Sequence, residues 1–295
     1  MQNKPVNSLQ QYASLLGGLA FMSFAAVLIK ASKAPGIVTT FYRMAIGVTV
    51  LFIPFIVHVF KSGTRLPRKG LFMAILAGLA FGCDLALWST GVVASNATIP
   101  TLFANLAPVW VGFGAILFFR EKQKGGFWIG LIIAISGIVL LISNDLDANG
   151  RILYGALFGL AAGLFYASFY MLTQISRKLL DTICYLFIST LSSACILLIL
   201  VLIFGYNFTG YEKQTWYLFI ALGIGVQVIG WFLISYSQGY LPATIVSPTL
   251  LGQPVITAFL ATYLLTERLT WIHISGGIVV VAGIYFVHYS RFKKR

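Results

Sequence analysis

Runs of about twenty apolar residues, parted by gaps of a few polar ones, follow one another along the chain from Leu9 to Tyr289. A bilayer core roughly 30 Å thick takes about 20 helical residues to cross. Inside hydrocarbon a backbone must satisfy its own hydrogen bonds, so each run reads as a membrane-spanning α-helix. The spacing predicts spans at Leu9–Ile29, Ile37–Phe60, Leu71–Val93, Thr98–Phe119, Phe127–Ser143, Ile152–Gln174, Thr182–Phe204, Thr215–Gln238, Thr244–Leu265 and Trp271–Tyr289. Ten spans leave only Asn144–Arg151 and Tyr206–Gln214 as longer polar stretches, so function is expected inside the membrane part. The short gaps at Ser95-Asn96 and Leu241-Pro242 are compatible with re-entrant turns. The first span carries only Lys4 ahead of it and exceeds the apolar core of a signal peptide, so it is expected to be retained.

Composition agrees. Of 295 residues 59% are hydrophobic and only 9% charged, with mean hydropathy +0.92, whereas a soluble domain is about a quarter charged. A net charge of +13 would suggest nucleic-acid binding in a soluble chain, but here the Lys and Arg residues fall in the gaps between spans, so no nucleic-acid partner is expected. With the N-terminus placed inside, fourteen of the twenty lie on one side, including Lys61, Arg65, Arg68, Lys69, Arg120, Lys122, Lys124, Arg177 and Lys178. Five lie on the other (Lys30, Lys33, Arg151, Lys213 and Arg268), and Arg43 falls within a span. By the positive-inside rule both termini are expected to be cytoplasmic.

The chain also repeats itself. A shift of 146 residues places Pro108 on Pro254, Glu121 on Glu267, Gly130 on Gly276, Gly137 on Gly283 and Thr101 on Ser247. A shift of 141 places Gly18-Leu19-Ala20 on Gly159-Leu160-Ala161 and Phe24 on Phe165. The expected fold class is therefore all-α integral membrane, with ten transmembrane helices as two five-helix repeats, residues 1–146 and 147–295. An odd number of spans per copy inverts the second copy relative to the first, the arrangement that underlies alternating access.

Leu87-Trp88-Ser89-Thr90-Gly91, Ala97, Leu106-Ala107-Pro108-Val109 and Phe119-Arg120-Glu121-Lys122 carry a resemblance in the first copy. Tyr236-Ser237, Ala243, Gln253-Pro254-Val255 and Thr266-Glu267-Arg268 carry it in the second, and Arg43 matches an arginine that commonly opens the second helix of the repeat. With these residues the chain resembles the drug/metabolite transporter superfamily, and within it the ten-span EamA-type exporters. Arg120-Glu121-Lys122, where Gly-Glu-Arg is usual, and Asp84 in the third span depart from the pattern. The resemblance implies a bacterial inner-membrane transporter that moves amino acids or related amphipathic metabolites outward, with a small-molecule substrate and the lipid bilayer as partners. Protons are possible coupling partners, no cofactor is implied, and a monomer is compatible with it.

Asp84 is the only acidic residue deep within a predicted span, and a carboxylate there costs about 2.5–3.5 kcal/mol unless it finds a cavity, a partner or a proton. It reads as a substrate-amine or proton site, or as half of an ion pair with Arg43, which lies within about one helical turn of its depth. Phe81 and Trp88 share its face, and an aromatic wall beside a carboxylate suits a cation. Phe165, Tyr166, Phe169 and Tyr170 repeat that pattern on the sixth span. Thr101, Asn105 and Ser247, together with Gln253, Gln227 and Trp231, are candidate lining groups, each of which fits equally the satisfaction of neighbouring backbone. Pro108 and Pro254 interrupt matching spans and are expected to act as hinges.

Gly155/Gly159/Gly163, Gly78/Gly82 and Gly126/Gly130 are spaced for close helix packing. Cys83, Cys184 and Cys195 read as small buried side chains. His58, His273 and His288 lie near span ends without ligand spacing, so no metal site is expected. A phosphate-cradling Gly-x-x-x-x-Gly-Lys loop is absent, which rules out an ATP-driven pump built from this chain alone. The remaining alternatives are an ion or solute channel and a polytopic membrane enzyme. The scattered acids and histidines disfavour the enzyme.

Overall fold

The computed structural model describes residues 8–62, 66–94, 98–141, 152–264 and 271–292. Ala97, Arg151, Glu267 and Arg268 lie outside the described residues, as do the Ser95-Asn96 gap and the Asn144–Arg151 stretch. Among the described residues all regular structure is helical.

Eight helical stretches are long and apolar enough to cross a bilayer, and two shorter apolar helices fill the fourth and fifth positions. In chain order they are α1 (Ser8–Ser32), α2 (Gly36–Ser62), α3 (Arg68–Ala94), α4 (Thr98–Ala104) with α5 (Ala107–Phe119), and α6 (Gly125–Leu141). Then follow α7 (Ile152–Arg177), α8 (Thr182–Ile203), and α9 (Lys213–Ala221) joined to α10 (Trp231–Gln238) through a π-helical segment, Leu222–Gly230. The last are α11 (Ala243–Thr249), which reaches α12 (Gln253–Leu264) through one 3₁₀ turn, Leu250–Gly252, and α13 (Trp271–Phe292). The predicted spans coincide with these elements to within a few residues, because helix length here follows from bilayer thickness.

The fourth and ninth spans are each two helices. Pro108 and Pro254 do not sit mid-helix. Each is the second residue of a new helix, α5 or α12, where the missing N–H belongs to the first turn, which lacks intrahelical acceptors anyway. The break falls just before the proline, and the two second halves open at Ala107 and Gln253, 146 residues apart.

Large apolar side chains face outward, as a lipid solvent allows: Phe60, Leu117, Phe118 and Tyr263 are among the most exposed. The same logic corrects the reading of the cysteines. Cys184 is buried and Cys83 half-buried, but Cys195 is exposed beside Leu191, Leu198 and Ile199 on the outward face of α8.

Small residues set how closely the helices approach. A Cβ on Gly159 would come within 2.6 Å of the Pro100 carbonyl oxygen, which holds α7 against α4. Helices α6 and α13 pack along their lengths through a crossed set: Gly130 lies against the Gly283 carbonyl oxygen (2.8 Å from a Cβ placed there) and Gly137 against that of Gly276 (2.9 Å). Each glycine meets the counterpart of the other, in antiparallel register.

Polar contacts tie the two ends of the bundle separately. At the end where α1 begins, Ser237 Oγ donates to the Gln11 carbonyl (2.7 Å), Ser176 Oγ to Gly70 (2.9 Å) and Arg177 Nε to Ser235 (2.8 Å). At the same end the Ala243 N–H donates to Gln174 Oε1 at 2.6 Å. At the opposite end Thr215 Oγ1 donates to the Ser32 carbonyl (2.9 Å) and Tyr42 Oη to Phe208 (2.6 Å).

Candidate functional site

Between these ends α2, α3, α7, α8, the π segment and α10 converge on charge and aromatic rings. Arg43 on α2 is 2% exposed and Asp84 on α3 6%. The Arg43 guanidinium is fixed on one side only. Its Nε donates to Gln227 Oε1 at 3.2 Å, and Gln227 Nε2 donates in turn to Thr190 Oγ1 at 3.0 Å. Its Nη2 is buried without a partner. Asp84 lies within electrostatic reach of Arg43, yet among the described residues no ion pair within 4.0 Å joins the two.

Glycine shapes this contact as well. A Cβ on Gly47 would fall 2.8 Å from Gln227 Cγ, so its absence leaves room for the amide that grips Arg43. Gln227 sits in the π segment, whose Gly223, Gly225 and Gly230 weaken ordinary helix. A π turn carries one extra residue and re-aims the side chains that follow it, a device frequent at functional sites.

The floor of the site is aromatic. Phe81 stacks on Phe169 with centroids 4.5 Å apart, and Trp231 stands edge-on to both at 5.0 and 4.9 Å. Tyr166 stacks on Phe81 at 6.2 Å and packs against Tyr170 at 4.6 Å. The Arg43 Cζ lies 5.8 Å from the Phe81 centroid, within cation–π range. Trp231 is fully buried and its Nε1 has no acceptor. Such an arrangement offers a carboxylate for a cation, unmatched donors on Arg43, Trp231 and Tyr170 for an anion, and ring faces for an apolar body.

Of the residues anticipated from sequence, Arg43, Asp84, Tyr166, Gln227 and Trp231 come together here with Phe81, Phe169 and Tyr170. Trp88 does not join them, because its Nε1 donates to Thr101 Oγ1 at 3.0 Å and straps α3 to α4. Ser247 Oγ donates to the Ala243 carbonyl at 2.8 Å, one helical turn back. Asn105 and Gln253 are half-buried where their spans break, next to Pro108 and Pro254. Phe165 is exposed, on the outward side of α7. Sequence reasoning missed Thr190, one of four hydroxyl residues (Ser189, Thr190, Ser192 and Ser193) bunched on α8, with nothing along the chain to single it out.

A second polar group lies at the end where α1 begins. His58 near the end of α2 has Nε2 3.2 Å from Asp181 Oδ2, and Asp181 caps α8 by accepting the Cys184 N–H on Oδ1 at 3.0 Å. Burial pushes the Asp181 carboxyl up, but hydrogen bonds from Cys184 and the neighbouring His58 outweigh it and hold the group below the usual carboxylate range. His58 is thus not isolated, and neither is His288, whose Nε2 lies 2.9 Å from Thr249 Oγ1. Their neighbours come from distant elements that spacing along the chain does not reveal.

Comparison with known proteins places this architecture. The model of the EamA-like transporter family matches residues 11–143 and again residues 153–289, nearly the whole chain. The chain belongs to the EamA-like transporter family. An S-adenosylmethionine uptake transporter of Rickettsia felis is 26% identical over 249 residues, covering 83% of this chain and 80% of that one. The corresponding Rickettsia prowazekii protein is 23% identical over the same length. An uncharacterized transporter of Archaeoglobus fulgidus is 21% identical over 272 residues, covering 92% and 94%. A solved structure described only as "Crystal structure of protein" superimposes with a TM-score of 0.80 at 14% identity, over 97% of this chain and 99% of the other. That likeness concerns the fold alone. This EamA-like chain is thus a multi-pass membrane transporter whose closely packed centre holds one acid and one base.

Proposed function

We propose that this EamA-like protein is a secondary transporter of a small zwitterionic metabolite, an amino acid or an amino-acid derivative, bound at the centre built around Asp84 and Arg43. The observation that carries the reading is Arg43 itself, a buried cation anchored by Gln227 at one nitrogen and left without a partner at Nη2. A buried charge is retained when something meets it. A substrate carboxylate at Arg43 Nη2 supplies its missing acceptor, and the substrate cation then turns toward Asp84 and the aromatic cluster of Phe81, Phe169 and Trp231.

S-adenosylmethionine is the cargo to test first. Relatives carry that name, and the molecule combines an α-amino acid with a sulfonium and an adenine ring. A sulfonium has no N–H to donate, so a carboxylate flanked by ring faces suits it. The same relatives are named for uptake, which favours entry over the outward movement expected from sequence. The positive-inside count favours termini on the cytoplasmic side of a bacterial inner membrane. Two five-helix repeats of opposite orientation, residues 1–146 and 147–295, are supported by the shared break before Pro108 and Pro254 and by the crossed glycines of α6 and α13. Alternating access then consists of the two repeats rocking about the centre, with the broken spans as hinges.

Proteoliposomes loaded with labelled S-adenosylmethionine or with single amino acids test the reading. Wild-type protein is expected to exchange at least one of them. Asp84→Asn is expected to lose most of that exchange and its dependence on pH. Unchanged exchange and pH dependence in Asp84→Asn would remove Asp84 from the substrate path.

A further inference from the structure

From the juxtaposition of His58, Asp181 and Cys184 we infer a site for a zinc-class divalent cation that joins α2 to α8. The imidazole nitrogen, carboxylate oxygen and thiol sulfur all lie within 4.8 Å of one another. Tetrahedral zinc, with bonds of about 2.0–2.3 Å, holds neighbouring ligand atoms roughly 3.3–3.8 Å apart, so side-chain rotation of about an ångström closes the set. Asp181 is the N-cap of α8 and Cys184 lies in the first turn, and the capping bond between them holds the two side by side. His58 comes from the other helix.

Two details favour an ion over a plain histidine–carboxylate pair. The Asp181 Oδ2 atom is shielded from solvent and has no aligned hydrogen-bond donor, although His58 Nε2 is 3.2 Å away. Oδ1 is already engaged by the Cys184 N–H, which fixes the carboxylate with Oδ2 turned to His58. Sulfur and imidazole nitrogen select zinc-like metals over magnesium or calcium, which prefer all-oxygen shells. Three protein ligands leave a fourth position for water. The His58 and Asp181 side chains are 32% and 31% exposed, which gives an ion a route in while Cys184 stays buried.

The site stands apart from the Asp84 centre, and its test does not depend on transport. Purified full-length protein in lipid nanodiscs is titrated with Co²⁺, whose thiolate complexes give a charge-transfer band in the near ultraviolet. One Co²⁺ per chain, a thiolate band and its loss on adding Zn²⁺ are expected. Cys184→Ser is expected to lose the band, and His58→Ala to bind at least about tenfold more weakly. The double variant Cys83→Ser/Cys195→Ser retains the proposed ligands and is expected to keep the band, which covers the case in which Cys184→Ser fails to fold. No band in wild type, loss of the band in the double variant, or undiminished binding in His58→Ala would each overturn the inference.

Discussion

Arg43 shows at the level of one side chain how a membrane protein keeps a charge inside. Its guanidinium spends one N–H on Gln227 and lies over Phe81, while Gln227 spends its own amide on Thr190. Replacing Gln227 by leucine leaves the guanidinium without its anchor and Thr190 without its donor. The expected cost is about 1–3 kcal/mol of stability, since an unpaired buried polar group forfeits its hydration. A thermal melt of the purified variant against wild type measures it, and substrate affinity is expected to fall as Arg43 loses its orientation. Of this constellation only Thr190 was not named from the sequence. Asp84 and Arg43 stand out because charge inside an apolar run is expensive, and the four-residue spacing of Gln227 and Trp231 marks one face. Thr190 gives no such signal, because it is one of four hydroxyls within five residues of α8, and a hydroxyl in a membrane helix is satisfied by its own backbone as readily as by a partner. Trp88 was legible as an aromatic on the Asp84 face, but α4 supplies Thr101 as its acceptor, a contact between spans that helical periodicity does not encode.

Among the elements, the places where helix is interrupted separate what sequence reveals from what it conceals. Proline announces the breaks in the fourth and ninth spans, and only their position within the turn had to come from the structure. The π segment at Leu222–Gly230 is announced by nothing comparable: three glycines within nine residues also describe an ordinary packing face. The close approach of α6 and α13 was legible as small-residue spacing, whereas the choice of partner was not. Gly130→Leu tests that approach. A Cβ there would already sit 2.6 Å from the Val287 backbone nitrogen, so the helices must separate along much of the contact. The variant is expected to insert but to melt several degrees below wild type, with overpacking of this kind typically costing about 1–3 kcal/mol. Fluorescence-detected size exclusion after stepwise heating reads that loss.

For the whole molecule, the charge count and the odd number of spans per copy lead from sequence to an inverted arrangement. Both readings rest on the bilayer's permitting so few topologies. If each repeat is a folding unit, residues 1–146 and 147–295 expressed as separate chains are expected to co-purify and to recover exchange in proteoliposomes. Failure to co-purify, with each half present in the membrane, would argue against the division. One contact that would bring the halves together is the crossed set of glycines between α6 and α13, where Gly130 meets the counterpart of Gly137 and Gly137 meets the counterpart of Gly130. A surface of that kind is complementary to itself. A half-length ancestor inserted in both orientations would have paired with its own copy there, and every substitution would have been felt twice. Fusion of two such copies would remove that doubling, and with it the need for likeness at the centre, so that one half could keep the arginine while the other supplied the glutamine that meets it.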